Sequence, residues 1–319
     1  MSGTKRVLVT GGAGFIGSHL VKALLDRGDE VSVIDNFDPF YPEPLKRRGL
    51  DQRARLFEAD IRDEEAMRKA FTGTGPEIVV HLAALAGVRP SLERPAAYMD
   101  VNARGTASVL EAARNAGTRR FLLGSSSSVY GAHAEPPFKE TARVDAPESP
   151  YAASKVAAEV LARTFHNLYG LEIAALRFFT VYGPRQRPDL AIHKFSRLML
   201  AKKPLPFFGD GSSRRDYTWV DDIVAGVLAA CDVDLKWDIC NLGGAHTTSL
   251  AELVRLLEEA LGVPAILEKK PAQKGDVPLT SADVTHSAEV LRYAPRTPIR
   301  DGIRKFADWI RSDEGRGWV

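Results

Sequence analysis

The sequence predicts a doubly wound α/β fold, in which helices cover both faces of a parallel sheet, followed by a smaller C-terminal α/β region. Three observations carry this expectation. Short apolar runs alternate with helical stretches as far as Thr180, a glycine-rich turn joins the first run to the first helix, and beyond Thr180 prolines and glycines break the chain into loops. Arg6 to Thr10 reads as a buried strand, the glycines between positions 11 and 17 as a turn, Ser18 to Arg27 as a helix and Glu30 to Asp35 as a second strand, which completes one βαβ unit. Further strands are expected at Arg55 to Ala59, Ile78 to Leu82, Phe121 to Gly124 and Ile173 to Arg177, with helices at Glu64 to Phe71, Asn102 to Ala116 and Ala152 to Tyr169. Asp221 to Cys231 again has a helical pattern, and Trp237 to Leu242 reads as a strand that returns to the sheet before a helix at Ser249 to Leu261.

Composition narrows the function. The 319 residues are 45% apolar and 26% charged, the balance of a folded globular chain long enough to divide into two parts. The 43 basic and 41 acidic side chains leave a net charge of +2, which excludes the basic field of a nucleic-acid binder. Cys231 and Cys240 allow at most one disulfide, and no metal-ligand spacing is present, so neither a disulfide framework nor a metal is expected. The N-terminus lacks the pattern of a signal peptide, and the longest apolar stretch, Ile78 to Val88, is too short to span a membrane. A cytoplasmic protein with no membrane partner is the expectation.

The turn Gly11-Gly12-Ala13-Gly14-Phe15-Ile16-Gly17 has the spacing G-x-x-G-x-x-G between a strand and a helix. Gly11 suits the tight turn, Gly14 the close approach of a pyrophosphate and Gly17 the packing of the helix, whose first N–H groups face the phosphates beside Phe15 and Ile16. Asp35, at the end of the next strand and followed by Asn36, is placed to accept hydrogen bonds from ribose hydroxyls and to repel a 2′-phosphate, which selects NAD over NADP. Lys46, Arg47 and Arg48 read as a solvated face. Asp60-Ile61 matches an adenine-edge contact, with a helix cap as the alternative for Asp60.

Tyr151 and Lys155 stand four apart on one helix face, and an ammonium beside a phenol stabilises the phenolate and makes the tyrosine a general base. The hydroxyl run Ser125-Ser126-Ser127-Ser128, followed by Val129-Tyr130-Gly131, lies at the C-terminal edge of the expected sheet, where open α/β folds bind ligands.

These residues, together with His81-Leu82-Ala83-Ala84, Asn102, the segment from Arg177 to Pro184, Arg214-Arg215-Asp216-Tyr217 and Gly275-Asp276-Val277, resemble the extended short-chain dehydrogenase/reductase family, and within it the nucleotide-sugar 4-epimerases. The resemblance implies a Rossmann-type domain of residues 1–178 plus 218–243 and a nucleotide-sugar-binding domain of residues 179–217 plus 244–319. It implies NAD contacts from Leu82, Ala83, Ala84, Asn102 and Ser125, a hydrogen bond from Ser126 to the sugar O4 with Ser127 beside it, and diphosphate binding by Arg215. A homodimer formed through the helices near Asn102 to Ala116 and Ala152 to Tyr169 is also implied.

Related dehydratases and decarboxylases carry an acid just before Val-Tyr-Gly, whereas this chain has Ser128, so epimerisation is expected. The segments Ala86-Gly87-Val88-Arg89, Thr180 to Asp189 and Gln273-Lys274-Gly275-Asp276 resemble members that act on uronates. By that resemblance the substrate is UDP-glucuronate, converted to UDP-galacturonate, with neutral UDP-sugar epimerisation or decarboxylation as alternatives and a non-catalytic NAD-binding regulator as a remote one. Arg185, Thr180 and Arg89, with Asp276, are the expected substrate contacts, and Arg187 competes with Arg185 for the carboxylate.

Overall fold

A computed structural model describes residues 3–271 and 277–318. In chain order its strands are β1 (Arg6–Thr10), β2 (Glu30–Asp35), β3 (Arg55–Glu58), β4 (Ile78–His81), β5 (Arg120–Ser126), β6 (Glu172–Phe178), β7 (Thr180–Tyr182), β8 (Leu205–Phe208), β9 (Arg214–Trp219), β10 (Trp237–Leu242), β11 (Thr247–Ser249) and β12 (Leu267–Lys270). Seven of them form one parallel sheet in the order β10-β6-β5-β4-β1-β2-β3. The chain leaves β1 in one direction through β2 and β3 and in the other through β4 to β6. The crevice between β1 and β4 is therefore the switch point at which such sheets bind ligands.

The apolar runs are continuous because both faces of the sheet are covered. Val7, Val9, Leu122 and Leu176 point to one face and pack with the helices Phe15–Arg27 and Val220–Asp232, while Leu8, Val79, Phe121 and Ile173 point to the other and meet the helices Glu64–Thr74, Gly105–Asn115 and Pro150–Tyr169. The first of these cores runs on without a break into the C-terminal region through Phe195, Leu253 and Phe306. There β11, β9 and β7 make a three-stranded sheet and β12 pairs with β8. As expected, β10 returns to the main sheet, parallel to β6 at its edge.

Helix boundaries differ from the sequence reading where capping decides them. The first helix starts at Phe15 because Gly14 is its extended N-cap. The long helix starts at Pro150, where the fixed φ of proline suits a first turn and the Ser149 side chain accepts from Ala152 N. A π-helical turn, Asp100–Arg104, precedes Gly105–Asn115 and carries Asn102 into the interior. Cys231 and Cys240 are free and buried. Among the described residues no helix is long and apolar enough to cross a membrane.

Candidate active site

Parallel strands end on one side, so the residues that follow β1, β2, β4, β5 and β6 share one edge of the sheet. Gly11 has a φ of +71°, and a Cβ there would stand 2.7 Å from the backbone N of Ala83; only glycine fits the floor of the crevice. At Gly17 a Cβ would meet the Gly11 carbonyl oxygen at 2.2 Å, so this glycine lets the helix pack on its own turn. Gly14 leaves only 3.2 Å to the same oxygen, and no side chain caps the helix it begins. Phe15 is buried and Ile16 half-buried against the core. A bare helix N-terminus above a glycine floor fits a pyrophosphate.

The Asp35 carboxylate accepts from Ala13 N at 3.0 Å and from Phe37 N at 2.8 Å, so it closes the glycine turn. Burial raises its pKa, and the two amides oppose that rise. Asn36 donates to Asp60 Oδ2 at 3.1 Å, which brings those two expected contacts together beside Ile61. Asp60 is not a helix cap: the cap of Glu64–Thr74 is Asp63, and Asp60 is held by the Arg62 fork at 2.8 and 2.7 Å, which keeps its carboxyl at about 2. Nor is Lys46 a solvated residue, since it is buried, donates to the Asp38 carbonyl and lies over the Tyr41 ring. Arg47 pairs with Glu43 and Glu58.

A directed chain of hydrogen bonds fixes the loop after β4. The Thr106 hydroxyl donates to the Asn102 carbonyl, His81 Nε2 lies 3.0 Å from Thr106 Oγ1, His81 Nδ1 lies 2.6 Å from Thr10 Oγ1, and Ala83 N donates to that same oxygen. One tautomer satisfies the whole chain, with Nε2 protonated and Nδ1 accepting, and burial keeps the ring neutral by pulling its pKa to about 3. Asn102 binds both backbone groups of Leu85 and reaches Ser154 on the long helix at 2.9 Å. Leu82 and Ala83 stand against Gly11, and Asn102 fixes the same loop just beyond Ala84, at Leu85.

The long helix buries a polar face made of Ser154, Lys155 and Glu159. Burial pushes the Tyr151 phenol above its ordinary value, while a hydrogen bond with Ser126 and then the charge of Arg187 pull it down. Lys155 donates to the Gly124 carbonyl at 2.8 Å; burial brings its ammonium down to about 8, with Glu159 opposing. Ser126 accepts from Ser128 N at 3.2 Å and from the Ser128 hydroxyl at 2.9 Å, so Ser128 orients it. The Ser125 hydroxyl turns beneath the site to Glu159, at 2.5 Å. Glu159 in turn binds the buried Arg177 fork at 3.0 and 2.8 Å, an arrangement the sequence reading did not anticipate.

The expected sugar contacts divide. Thr180 opens β7 immediately after β6, and Ser127 begins the turn that follows Ser126. Arg89 is exposed and stacks on Phe208. Arg215 lies in β9 with its guanidinium on the Arg214 carbonyl, and Asp216 is buried on the amides of Gly244, Ala245 and Ala282 instead of pairing with its arginine neighbours. Arg185 has a φ of +61° and points to the Gly49 carbonyl at 2.7 Å and to Glu314. Arg187 is half-buried, with its guanidinium over the Phe40 ring at 4.7 Å. It is held by Asp189 at 3.0 and 2.7 Å, lies beside Gly87 and acts on Tyr151 and Tyr98, whose rings meet edge to face at 6.2 Å. Asp276 lies outside the described residues, as do Gln273 to Gly275.

Comparison with known proteins agrees with this geometry. The model of the NAD dependent epimerase/dehydratase family matches residues 7–243. The UDP-glucuronate 4-epimerase of Thermodesulfobacterium geofontis is 39% identical over 312 residues, 96% of each chain. Among solved structures, UDP-glucuronic acid 4-epimerase of Bacillus cereus, in complex with UDP-glucuronic acid and NAD, superposes with a TM-score of 0.89 at 35% identity over 96% of this chain and 98% of that one. UDP-glucose 4-epimerase of Thermotoga maritima with UDP-glucose gives 0.90 at 35% identity over the same shares. A glycine floor under a bare helix N-terminus, an acid at the end of β2 and a buried tyrosine–lysine helix at the sheet edge agree with the family match: the chain belongs to the NAD-dependent epimerase/dehydratase family.

Proposed function

We propose that this protein converts UDP-glucuronate to UDP-galacturonate by NAD-dependent 4-epimerisation. The observation that carries the reading is Arg187, half-buried on Asp189 with its positive charge acting on Tyr151, where a substrate carboxylate would lie next to the reacting carbon. NAD is held by the turn from Gly11 to Gly17, by Asp35 and Asn36, by Asp60 and Ile61, and by the Leu82 to Ala84 segment that Asn102 positions; when bound, it supplies reversible hydride transfer at C4 with no net redox change. Lys155 completes the cofactor side, while the Ser125 hydroxyl, turned to Glu159, supports it from beneath.

Tyr151 takes the proton of the C4 hydroxyl as the ketone forms and returns it to O4 as the ketone is reduced on its other face. Ser126 hydrogen-bonds both Tyr151 and O4 and keeps the proton path short. Ser128 puts a neutral hydroxyl where an acid would promote elimination or decarboxylation. A 4-keto uronate is a β-keto acid and loses carbon dioxide when its carboxylate bond overlaps the carbonyl π system. Arg187, with Thr180, holds the carboxylate out of that alignment; Arg185 braces the loop against Gly49, while Arg89, Ser127 and Arg215 bind the rest of the nucleotide sugar.

The cofactor part comprises residues 1–178 plus 218–243 and the sugar part residues 179–217 plus 244–319. A cytoplasmic homodimer, formed through the long helix on which Val160 and Leu168 stand exposed, completes the reading.

Purified protein given UDP-glucuronate without added NAD is expected to form UDP-galacturonate, followed by proton NMR. Formation of a 4-keto pentose or xylose nucleotide identifies a decarboxylase, and turnover of UDP-galactose alone identifies a neutral-sugar epimerase. Arg187→Met is expected to raise KM for UDP-glucuronate by about 10- to 100-fold, the loss of one charge-assisted interaction. The same variant moves the acidic limb of the rate profile to higher pH, because the lost positive charge no longer favours the phenolate, and it releases 4-keto pentose. Arg185→Met leaves that limb in place; the reverse pattern assigns the carboxylate to Arg185.

A further inference from the structure

Far along the sheet from the glycine turn, the edge strand β10 carries Asp238 and Cys240. Residues two apart on a strand share a face. His286, in the first turn of the helix Thr285–Leu291, lies 2.7 Å from Asp238 Oδ1 through Nε2. The Cys240 sulfur, one Asp238 oxygen and one His286 ring nitrogen all lie within 4.8 Å of one another.

We propose that Asp238, Cys240 and His286, with Glu140 at the rim, bind a divalent cation of the zinc class, independently of the reaction proposed above. A sulfur, an imidazole and a carboxylate converging on one point is a donor set for zinc, whereas calcium and magnesium require oxygen donors throughout. Ligand atoms around a tetrahedral zinc stand about 3.5 Å apart, so the cluster must rearrange by roughly 1 Å, the wider contacts to the sulfur closing and the 2.7 Å His286–Asp238 contact opening. Two of the three ligands have room to do so, since the side chains of His286 and Asp238 are 38% and 20% exposed.

The surroundings favour a cation. The cluster borders a cleft of about 520 Å³ whose wall presents the carboxylates of Glu140, Asp238, Asp283 and Glu289 against Lys139. One Glu140 oxygen accepts from Asn241 N at 2.9 Å, and a water would complete a tetrahedral set as the fourth ligand. A bound ion ties the edge strand to a C-terminal helix. That strand also holds Asn241, which accepts from the Tyr130 hydroxyl at 2.7 Å in the segment that follows Ser126.

The test uses the full chain, stripped with a chelator and titrated with Co²⁺ as a spectroscopic stand-in for zinc. One equivalent is expected to bind with a thiolate-to-cobalt charge-transfer band that Zn²⁺ displaces. Cys240→Ser should abolish the band, and His286→Gln should weaken binding at least about tenfold. Cys240 is fully buried and its substitution can disturb folding, so His286→Gln and Asp238→Asn, both at partly exposed positions, carry the test independently. The absence of a saturable charge-transfer band, or equal affinity in both of those variants, overturns the proposal.

Discussion

Tyr151→Phe is expected to lower turnover of UDP-glucuronate by about 10³-fold while NAD and the nucleotide sugar still bind. The ring and its edge-to-face packing on Tyr98 remain, so the variant removes a hydroxyl from a site whose shape is otherwise kept. Equilibrium binding and kcat measured together check this: a loss confined to kcat identifies a proton-transfer group, and a matching loss of binding identifies a structural one. The pH profile gives a second readout. The phenol is raised by burial and lowered by Ser126 and Arg187, and the phenolate is the active base, so the rate should rise with pH along the acidic limb. Ser126→Ala removes a lowering influence and should move that limb to higher pH. Above about 8, Lys155 loses its proton and the rate should fall.

Glu159→Ala should produce the largest loss of stability, about 3–5 kcal/mol, because it leaves the Arg177 charge buried without its carboxylate. Both side chains of the pair are almost wholly enclosed, at 2% and 6% exposure. The remaining partners of Arg177, the Glu140 carbonyl at 3.4 Å and the Tyr130 ring at 4.7 Å, do not neutralise it. A fall in melting temperature on the order of 10 °C is the corresponding signal. Adding Arg177→Met to a Glu159→Gln background should recover most of the loss, since a buried pair replaced as a whole costs far less than one that is broken. A Glu159 variant that remains folded should also show its alkaline limb at lower pH, because Glu159 is the group that holds the Lys155 ammonium up.

Those two residues illustrate different degrees of legibility. Tyr151 and Lys155 were readable because a spacing of four on a helix guarantees a shared face. Glu159 continues that face by one more turn, yet nothing local marks it as the partner of Arg177, which arrives from β6. Asp35 was legible as the acid at the end of β2, whereas its service to Ala13 and Phe37 became visible only once the turn was closed. Asp60 and Asp63 compete for the cap of one helix in sequence, and the Arg62 fork decided between them.

By itself the sequence determined the alternation of strands and helices, the glycine turn, the acid after β2 and the tyrosine–lysine helix, because each follows from near-neighbour geometry or from a backbone position that tolerates one residue type. The parting of two neighbouring loop arginines came from tertiary packing. Arg185 and Arg187 are two residues apart in one loop, yet with a left-handed backbone at Arg185 its side chain reaches Gly49, while that of Arg187 pairs with Asp189 and lies over Phe40. The structure alone also assembled Asp238, Cys240 and His286, since Asp238 and His286 are 48 positions apart and meet only because a C-terminal helix packs on the edge strand. Contacts of that kind depend on where whole elements come to rest, which no local pattern of residues encodes.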